Sequence, residues 1–269
     1  MYRLLALDLD GTLLRRDGVV DDRDVAAIAE LQAAGVVVTI VTGRLHSGAT
    51  GAARACRIGG AIGCVDGSHL VELSSGRTLV HHGLDSELTA VLRGVIARHG
   101  LASFVFDAEG IHHEHAGAAY ASFVRTWSPN LQIVEQDVAW QTEPLGAVAI
   151  GDADEVAAAH AALRGHAARL YSASFEVWTH PGKHALLVRA AGINKGTALA
   201  DLCGRAGVPL AEAVAIGDWL NDVPMFEVAG RSFAMGTAPD DVRAKATDGL
   251  SATAFDGGGI AEAIRCAWG

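Results

Sequence analysis

Positive charge is scarce in this 269-residue chain, where 21 Lys and Arg face 31 Asp and Glu for a formal net charge of -10. That balance repels polyanions, and no run of Lys or Arg interleaved with aromatics interrupts it, so nucleic acid is not an expected partner. An anionic small molecule would need positive charge placed locally, by a metal ion and a few basic side chains. Cysteine is sparse as well. Cys56, Cys64, Cys203 and Cys266 form no C-x-x-C pair, which excludes metal-finger and redox motifs and fits reduced, mostly buried thiols in a cytoplasmic protein. Long apolar runs are also missing. Stretches such as Val36 to Val41 and Ala185 to Val188 stop well short of the ~20 residues that span a bilayer, so no membrane helix is expected. The N-terminus meets Asp8 before an apolar region of secretory length has formed, and export is not expected either.

What is abundant is hydrophobic sequence, half of the chain, enough for a large core in one domain or two. Over residues 1–83 short apolar runs alternate with helix-compatible segments, the pattern of βα units around a parallel sheet. Arg3 to Leu7, Val36 to Val41 and Ala61 to Val65 read as strands. Asp21 to Ala34 reads as a helix, with Val25, Ile28 and Leu31 on one face, an Asp cap and Gly35 as terminator. The same grammar returns in a helix over Lys195 to Ala206, a buried strand over Ala213 to Ile216, a short helix over Val223 to Ala229 and a last strand over Ser232 to Met235. Between these halves the habits change. Helices over Ser86 to His99 and Asp154 to Gly165 accompany hairpin turns at Asp107 to Gly110 and at Pro181-Gly182. The fold class expected is therefore α/β: a Rossmann-like parallel-sheet core, discontinuous over 1–83 and 188–269, with an inserted α+β cap over 84–187.

Four short motifs fall at strand ends, where ligands gather in open α/β sheets. Asp8-Leu9-Asp10-Gly11-Thr12-Leu13 brings two carboxylates to the end of the first strand. One can attack phosphorus while the other moves a proton. Alone, this motif also suits a surface turn with a helix cap. Thr42-Gly43-Arg44 offers a hydroxyl, closely approaching amides and a guanidinium, groups that fit phosphate oxygens, though in isolation it reads as a turn into a helix. Lys195, in Gly192-Ile-Asn-Lys-Gly196, can neutralise a phosphate, and Gly217-Asp218-Trp219-Leu220-Asn221-Asp222 places a second carboxylate pair at another strand end. Magnesium prefers hard oxygen ligands and keeps several waters, so Asp8, Asp218 and Asp222 are adequate donors. A helix cap is the bland reading of each Asp taken singly.

These motifs, in this order and with a large insertion before the lysine, resemble the four motifs of the haloacid dehalogenase-like superfamily, and the size and place of the cap resemble its Cof-type, or type IIB, branch. The resemblance spans nearly the whole chain. It implies a magnesium-dependent phosphatase in which Asp8 is the nucleophile that forms an aspartyl-phosphate and Asp10 is the general acid and then base. It further implies that Thr42, Gly43 and Lys195 hold the phosphoryl group and that Asn221 contacts the phosphate region. Asp8, the main-chain carbonyl of Asp10, and Asp218 would bind magnesium, with Asp222 ligating or supporting the site. Where this branch usually has Asn-Gly after the third strand, the chain has Asp66-Gly67, which adds negative charge beside the expected substrate entrance. Arg44, Asp66, His180 and Lys183 are carried forward as possible substrate contacts.

The insertion also holds His112-His113-Glu114-His115, which invites a zinc reading. Alternation along a strand sends His113 to the opposite face from His112 and Glu114, so the four side chains do not converge without a break. His184 flanks the same Pro-Gly turn as His180 and Lys183, and a solvated hairpin tip accounts for all three equally well. Trp127, Trp140 and Trp178 are expected in the core of the insertion. The expected substrate is a small phosphorylated metabolite, such as a sugar phosphate or a cofactor- or nucleotide-type phosphate. A phosphomutase is the alternative within enzymes, and a non-catalytic phosphometabolite sensor the alternative outside them. The nucleophile repels an anionic ligand, which argues against a sensor.

Overall fold

The computed structural model of the protein describes residues 1–141, 143–253 and 255–269. In chain order the first elements are β1 (Leu4–Leu7), α1 (Asp22–Ala33), β2 (Val37–Ile40), α2 (His46–Ala55), β3 (Ala61–Cys64), β4 (His69–Glu72) and β5 (Arg77–His81). Next come α3 (Ser86–Arg98), β6 (Ala102–Phe106), β7 (Ile111–His113), α4 (Ala121–Val124), β8 (Leu131–Ile133), α5 (Gln136–Ala139), β9 (Gly146–Asp152), α6 (Ala153–Leu163), β10 (Leu170–Glu176) and β11 (Lys183–Ala190). The chain closes with α7 (Lys195–Ala206), β12 (Ala213–Gly217), α8 (Val223–Val228), β13 (Arg231–Ala234), α9 (Asp240–Arg243), β14 (Asp248–Gly249) and α10 (Gly259–Trp268). These elements form two compact units. One comprises Met1–Gly43, Ala49–Leu79 and Asn194–Gly269, and the other comprises Arg44–Gly48 and Val80–Ile193.

The first unit is built on a parallel sheet of order β14-β13-β12-β1-β2. Every residue of β1 and β12 is buried, as expected of parallel strands covered on both faces, whose sequences read as unbroken apolar runs. The register pairs Leu7 with Ile216 on one side and with Ile40 on the other, so β1, β2 and β12 end side by side. Their carboxyl ends deliver Asp8, Thr42 and Asp218 to one edge. Because β1 lies between a strand that follows it and one more than two hundred residues later, this is the point where connections diverge to either side, the kind of strand end at which open α/β sheets bind ligands.

Next to β2, Val41 bridges Gly63 in parallel, and β3 then turns into the antiparallel sheet β3-β4-β5. The sequence reading places no elements between Asp66 and the cap. The structure puts β4 and β5 there. The helices have local causes. Asp21 caps α1 by accepting the Arg23 N–H, and Asn194 caps α7 from the Gly196 and Thr197 N–H groups, with Gly207 in the left-handed conformation ending that helix. Asp24 reaches from α1 to accept the Gly258 and Ala261 N–H groups at 2.9 and 2.8 Å, so it caps α10 from outside its own helix.

The second unit carries a sheet of order β10-β11-β9-β6-β7-β8, antiparallel apart from the β7–β8 pair. Asp85 caps α3, whose Leu88, Leu92, Val95 and Ile96 are buried at helical spacing. They share a core with Val156, Ala159 and Leu163 of α6 and with Leu186 and Val188 of β11. The hairpins expected at Asp107–Gly110 and at Pro181-Gly182 join β6 to β7 and β10 to β11. Trp140 belongs to this core, but Trp178 is 73 % exposed, contrary to its expected place. Among the described residues no helix is long and apolar enough to cross a membrane.

Candidate active site

Asp8 follows β1 directly, and its main-chain N–H donates to the Ile216 carbonyl at 3.0 Å, which anchors it to the end of β12. Its side chain is buried, and so are those of Lys195 and Asp222. Lys195 opens α7 and points its ammonium between the two acids, donating to Asp8 Oδ1 and to Asp222 Oδ1 at 2.5 Å each. The other oxygen of Asp222 accepts the main-chain N–H groups of Asp218 at 2.8 Å and Trp219 at 3.0 Å. With both oxygens engaged, Asp222 acts here as the brace of the β12 loop. Thr12, also buried, donates to Asp218 Oδ1 at 3.4 Å.

Two glycines permit these approaches. Gly11 adopts φ +80°, and a Cβ on it would meet Asp218 Oδ2 at 2.1 Å; one on Gly217 would meet Asp222 Cγ at 2.4 Å. Neither loop can close around its carboxylate with a side chain at that position.

Ligand atoms of Asp8, Asp218 and Asp222 lie within 4.8 Å of one another. Burial, reinforced by the charge of Asp222, holds the Asp8 carboxyl well above the usual carboxylate range, although Lys195 pulls it back down. Burial first and then Asp222 push Asp218 up to about 7. Burial disfavours the charge on Lys195, yet the carboxylates of Asp222, Asp8 and Asp66 outweigh it, and the net shift is upward. Lys195 is thus a firm cation, and its single charge offsets only part of the burial and mutual repulsion that raise Asp8 and Asp218. Hard oxygen donors with surplus negative charge are the donor set that magnesium takes, so the residues present fit that ion. Asp8 and Asp218 are the carboxylates best placed to hold it, while Asp222 already satisfies Lys195 and the loop amides.

The other expected residues fall as follows. Asp10 is exposed, at the turn leaving β1. Thr42 is fully buried, its N–H donating to the Gly63 carbonyl and its carbonyl accepting the Asp66 N–H, each at 2.9 Å. Gly43 lies against the Asp66 carboxylate, for a Cβ there would stand 3.5 Å from Asp66 Oδ1. Asn221 donates its amide to Asp66 Oδ1 at 3.0 Å. Arg44 groups with the second unit, where its guanidinium donates to the Gly48 carbonyl at 3.3 Å and the neighbouring Leu45 N–H donates to Trp127 at 2.9 Å. In that unit Lys183 is ion-paired with Asp152 at 2.8 Å, and the His180 ring stands edge-on to Tyr120. The histidine run does not assemble a metal site. His112 pairs with Asp107 at 3.2 Å and His113 is buried beside Phe104, while among the described residues the Asp8, Asp218 and Asp222 group is the one whose spacing suits an ion. Thr12, which bonds Asp218, went unassigned in the sequence, although it lies inside the first motif.

The haloacid dehalogenase-like hydrolase family model matches residues 5–264. The chain belongs to this family. It is 27 % identical over 238 residues to the HMP-PP phosphatase of Yersinia enterocolitica, covering 88 % of this chain and 85 % of that one. It is also 27 % identical over 263 residues to the 5-amino-6-(5-phospho-D-ribitylamino)uracil phosphatase YcsE of Bacillus subtilis, covering 98 % and 94 %. The fold matches that of the subclass IIB sugar phosphatase BT4131, with a TM-score of 0.81 and 18 % identity over 98 % of both chains. The haloacid dehalogenase-like chain therefore has relatives along its whole length that cleave phosphate from small molecules.

Proposed function

We propose that this haloacid dehalogenase-like hydrolase is a magnesium-dependent phosphatase of small phosphate monoesters, working through a phosphorylated Asp8. The observation that carries the reading is the buried Asp8 carboxylate at the end of β1, held at 2.5 Å by Lys195 and grouped with Asp218 and Asp222. A carboxylate attacking a phosphate dianion meets strong repulsion, and phosphoryl transfer asks a protein chiefly for alignment and charge stabilisation. Lys195 supplies one fixed positive charge beside the nucleophile. Magnesium, held by Asp8, Asp218 and the main-chain carbonyl of Asp10, would supply the remaining neutralisation of the transferring group.

In the first half-reaction an Asp8 carboxylate oxygen bonds to phosphorus as the bond to the leaving oxygen breaks, and Asp10 gives its proton to that oxygen. In the second, Asp10 takes a proton from water as the water oxygen bonds to phosphorus and the bond to Asp8 breaks, which frees phosphate and restores the carboxylate. Thr42, Gly43 and Asn221 are assigned to the phosphoryl oxygens. Substrate choice is assigned to the second unit, because these residues belong to the first while Trp178, His180 and Lys183 belong to the other. The Bacillus relative, named for a uracil that carries a phosphoribitylamino chain, favours a metabolite whose leaving group bears a pyrimidine ring. Cys56, Cys64 and Cys203 are free and buried, which suits a reducing, cytoplasmic setting.

The test is phosphate release over a panel of phosphorylated pyrimidines, sugar phosphates and nucleotides with magnesium, run beside Asp8→Asn. Turnover in the wild type and its loss in a folded Asp8→Asn variant are expected. Equal rates in both would refute the nucleophile.

A further inference from the structure

After β3 the backbone of the first unit makes an unusual turn. Val65 and Asp66 adopt φ +49° and +51°, and Gly67 follows at +105°. Two consecutive side-chain-bearing residues in the left-handed region are strained and persist where the surroundings over-determine them. Here the surroundings are the site itself. The Asp66 N–H donates to the Thr42 carbonyl at 2.9 Å, and its carboxylate lies along Gly43. Asp66 Oδ1 accepts the Asn221 amide at 3.0 Å, from a residue 155 positions further on. The residue is only 6 % exposed, so it presents little surface to a substrate, and its charge is felt by Lys195 after those of Asp222 and Asp8.

An Asn side chain has two N–H donors and a carbonyl acceptor on a freely turning torsion. Donation to a buried carboxylate fixes which way the amide faces, because a flip would set the Asn221 carbonyl against the Asp66 oxygen. We infer that Asp66 is a positioning residue: it orients the Asn221 carboxamide toward the phosphoryl site and locks the Thr42-Gly43 loop to the Asp218–Asp222 loop, instead of reading the substrate. The strained turn is what aims its carboxylate. This rests on the phosphatase reading given above.

The test uses the full chain with magnesium and para-nitrophenyl phosphate, comparing wild type with D66N, D66G, N221A and D66G/N221A. Asn and Gly both tolerate the left-handed backbone, so each variant should fold, which circular dichroism checks. D66G should lower kcat roughly tenfold with KM changed by less than about twofold, and N221A similarly, because an interaction made in the transition state is lost from kcat. The double variant should be no slower than N221A alone, since Asp66 acts through Asn221. D66N should recover to within about threefold of wild type, because its amide oxygen accepts the same hydrogen bond. Multiplying losses in the double variant, or a D66N as slow as D66G, would overturn the inference. If D66G does not fold, N221A against D66N/N221A decides the matter, for D66N must then add no further loss. A wild type inactive on every phosphate ester would instead strike the phosphatase reading.

Discussion

Replacing Lys195 with methionine removes the ammonium that Asp8 and Asp222 share while keeping a side chain of comparable length in a site only 1 % exposed. The carboxylates left behind lie within 4.8 Å of one another, and two ionised groups at that distance repel by about 3.5 kcal/mol at an effective dielectric near 20. Breaking a buried ion pair by removing one partner costs roughly 3–5 kcal/mol. The metal-free variant should therefore melt roughly 6–20 °C below wild type at pH 8. The pH dependence follows from the same charges. Asp218, pushed up to about 7, binds its proton more tightly in the folded than in the unfolded chain. Its stabilising contribution is complete below about pH 4 and is lost as the pH rises through about 7. Metal-free wild type should accordingly weaken across that window, and Lys195→Met should weaken more steeply, because no ammonium offsets the acids as they ionise. Thermal scans in chelator between pH 5 and 8, repeated with magnesium, read both effects. A variant that melts with wild type at pH 8, or one whose deficit is as large at pH 5, would show that Lys195 does not balance this cluster.

Asp10→Asn should lower kcat by ~10²–10⁴ with the fold intact, the worth of a general acid and base; steady-state rates settle it, and a loss under threefold argues against the role. Chelation should abolish phosphate release and magnesium restore it, whereas calcium, with its larger and looser coordination sphere, should support it poorly; full activity without metal contradicts the assignment of Asp8 and Asp218. Asp24→Ala should cost about 2 kcal/mol, because the Gly258 and Ala261 N–H groups lose their buried acceptor; an unchanged urea midpoint speaks against that cap. Trp178→Ala and His180→Ala should depress kcat/KM for a preferred metabolite at least tenfold more than for para-nitrophenyl phosphate, and parallel losses would remove substrate choice from the second unit.

What could be read from sequence was what is written locally. The span of α7 over Lys195 to Ala206 was legible, although its cap Asn194 and its terminator Gly207 emerged only with the structure, and β1 and β12 followed from buried apolar runs that only a covered parallel strand requires. The acids and the lysine were visible because each sits at a strand end or opens a helix. Elements with weak local signals were not. β4 and β5 are short and close on a Ser-Ser-Gly turn, and α2 carries Gly48 and Gly51, poor helix formers. The pairing of Asp66 with Asn221 was also hidden, since it depends on how β3 and β12 deliver two loops to one place. The division of labour inside the acid group was beyond sequence for the same reason: only coordinates show that Asp222 spends one oxygen on Lys195 and the other on two amides.

The sheet order of the first unit has a consequence for biosynthesis. β1 is flanked by β2 and β12, so on a ribosome the first strand emerges about two hundred residues before one of its two neighbours exists. At roughly 5–20 residues per second that is a wait of about 10–40 s, during which the strongly apolar Leu4–Leu7 segment has an open edge. The second unit, nearly contiguous in sequence, can complete its sheet within that interval. The β1 edge stays open until Ala213–Gly217 arrives to pair with it.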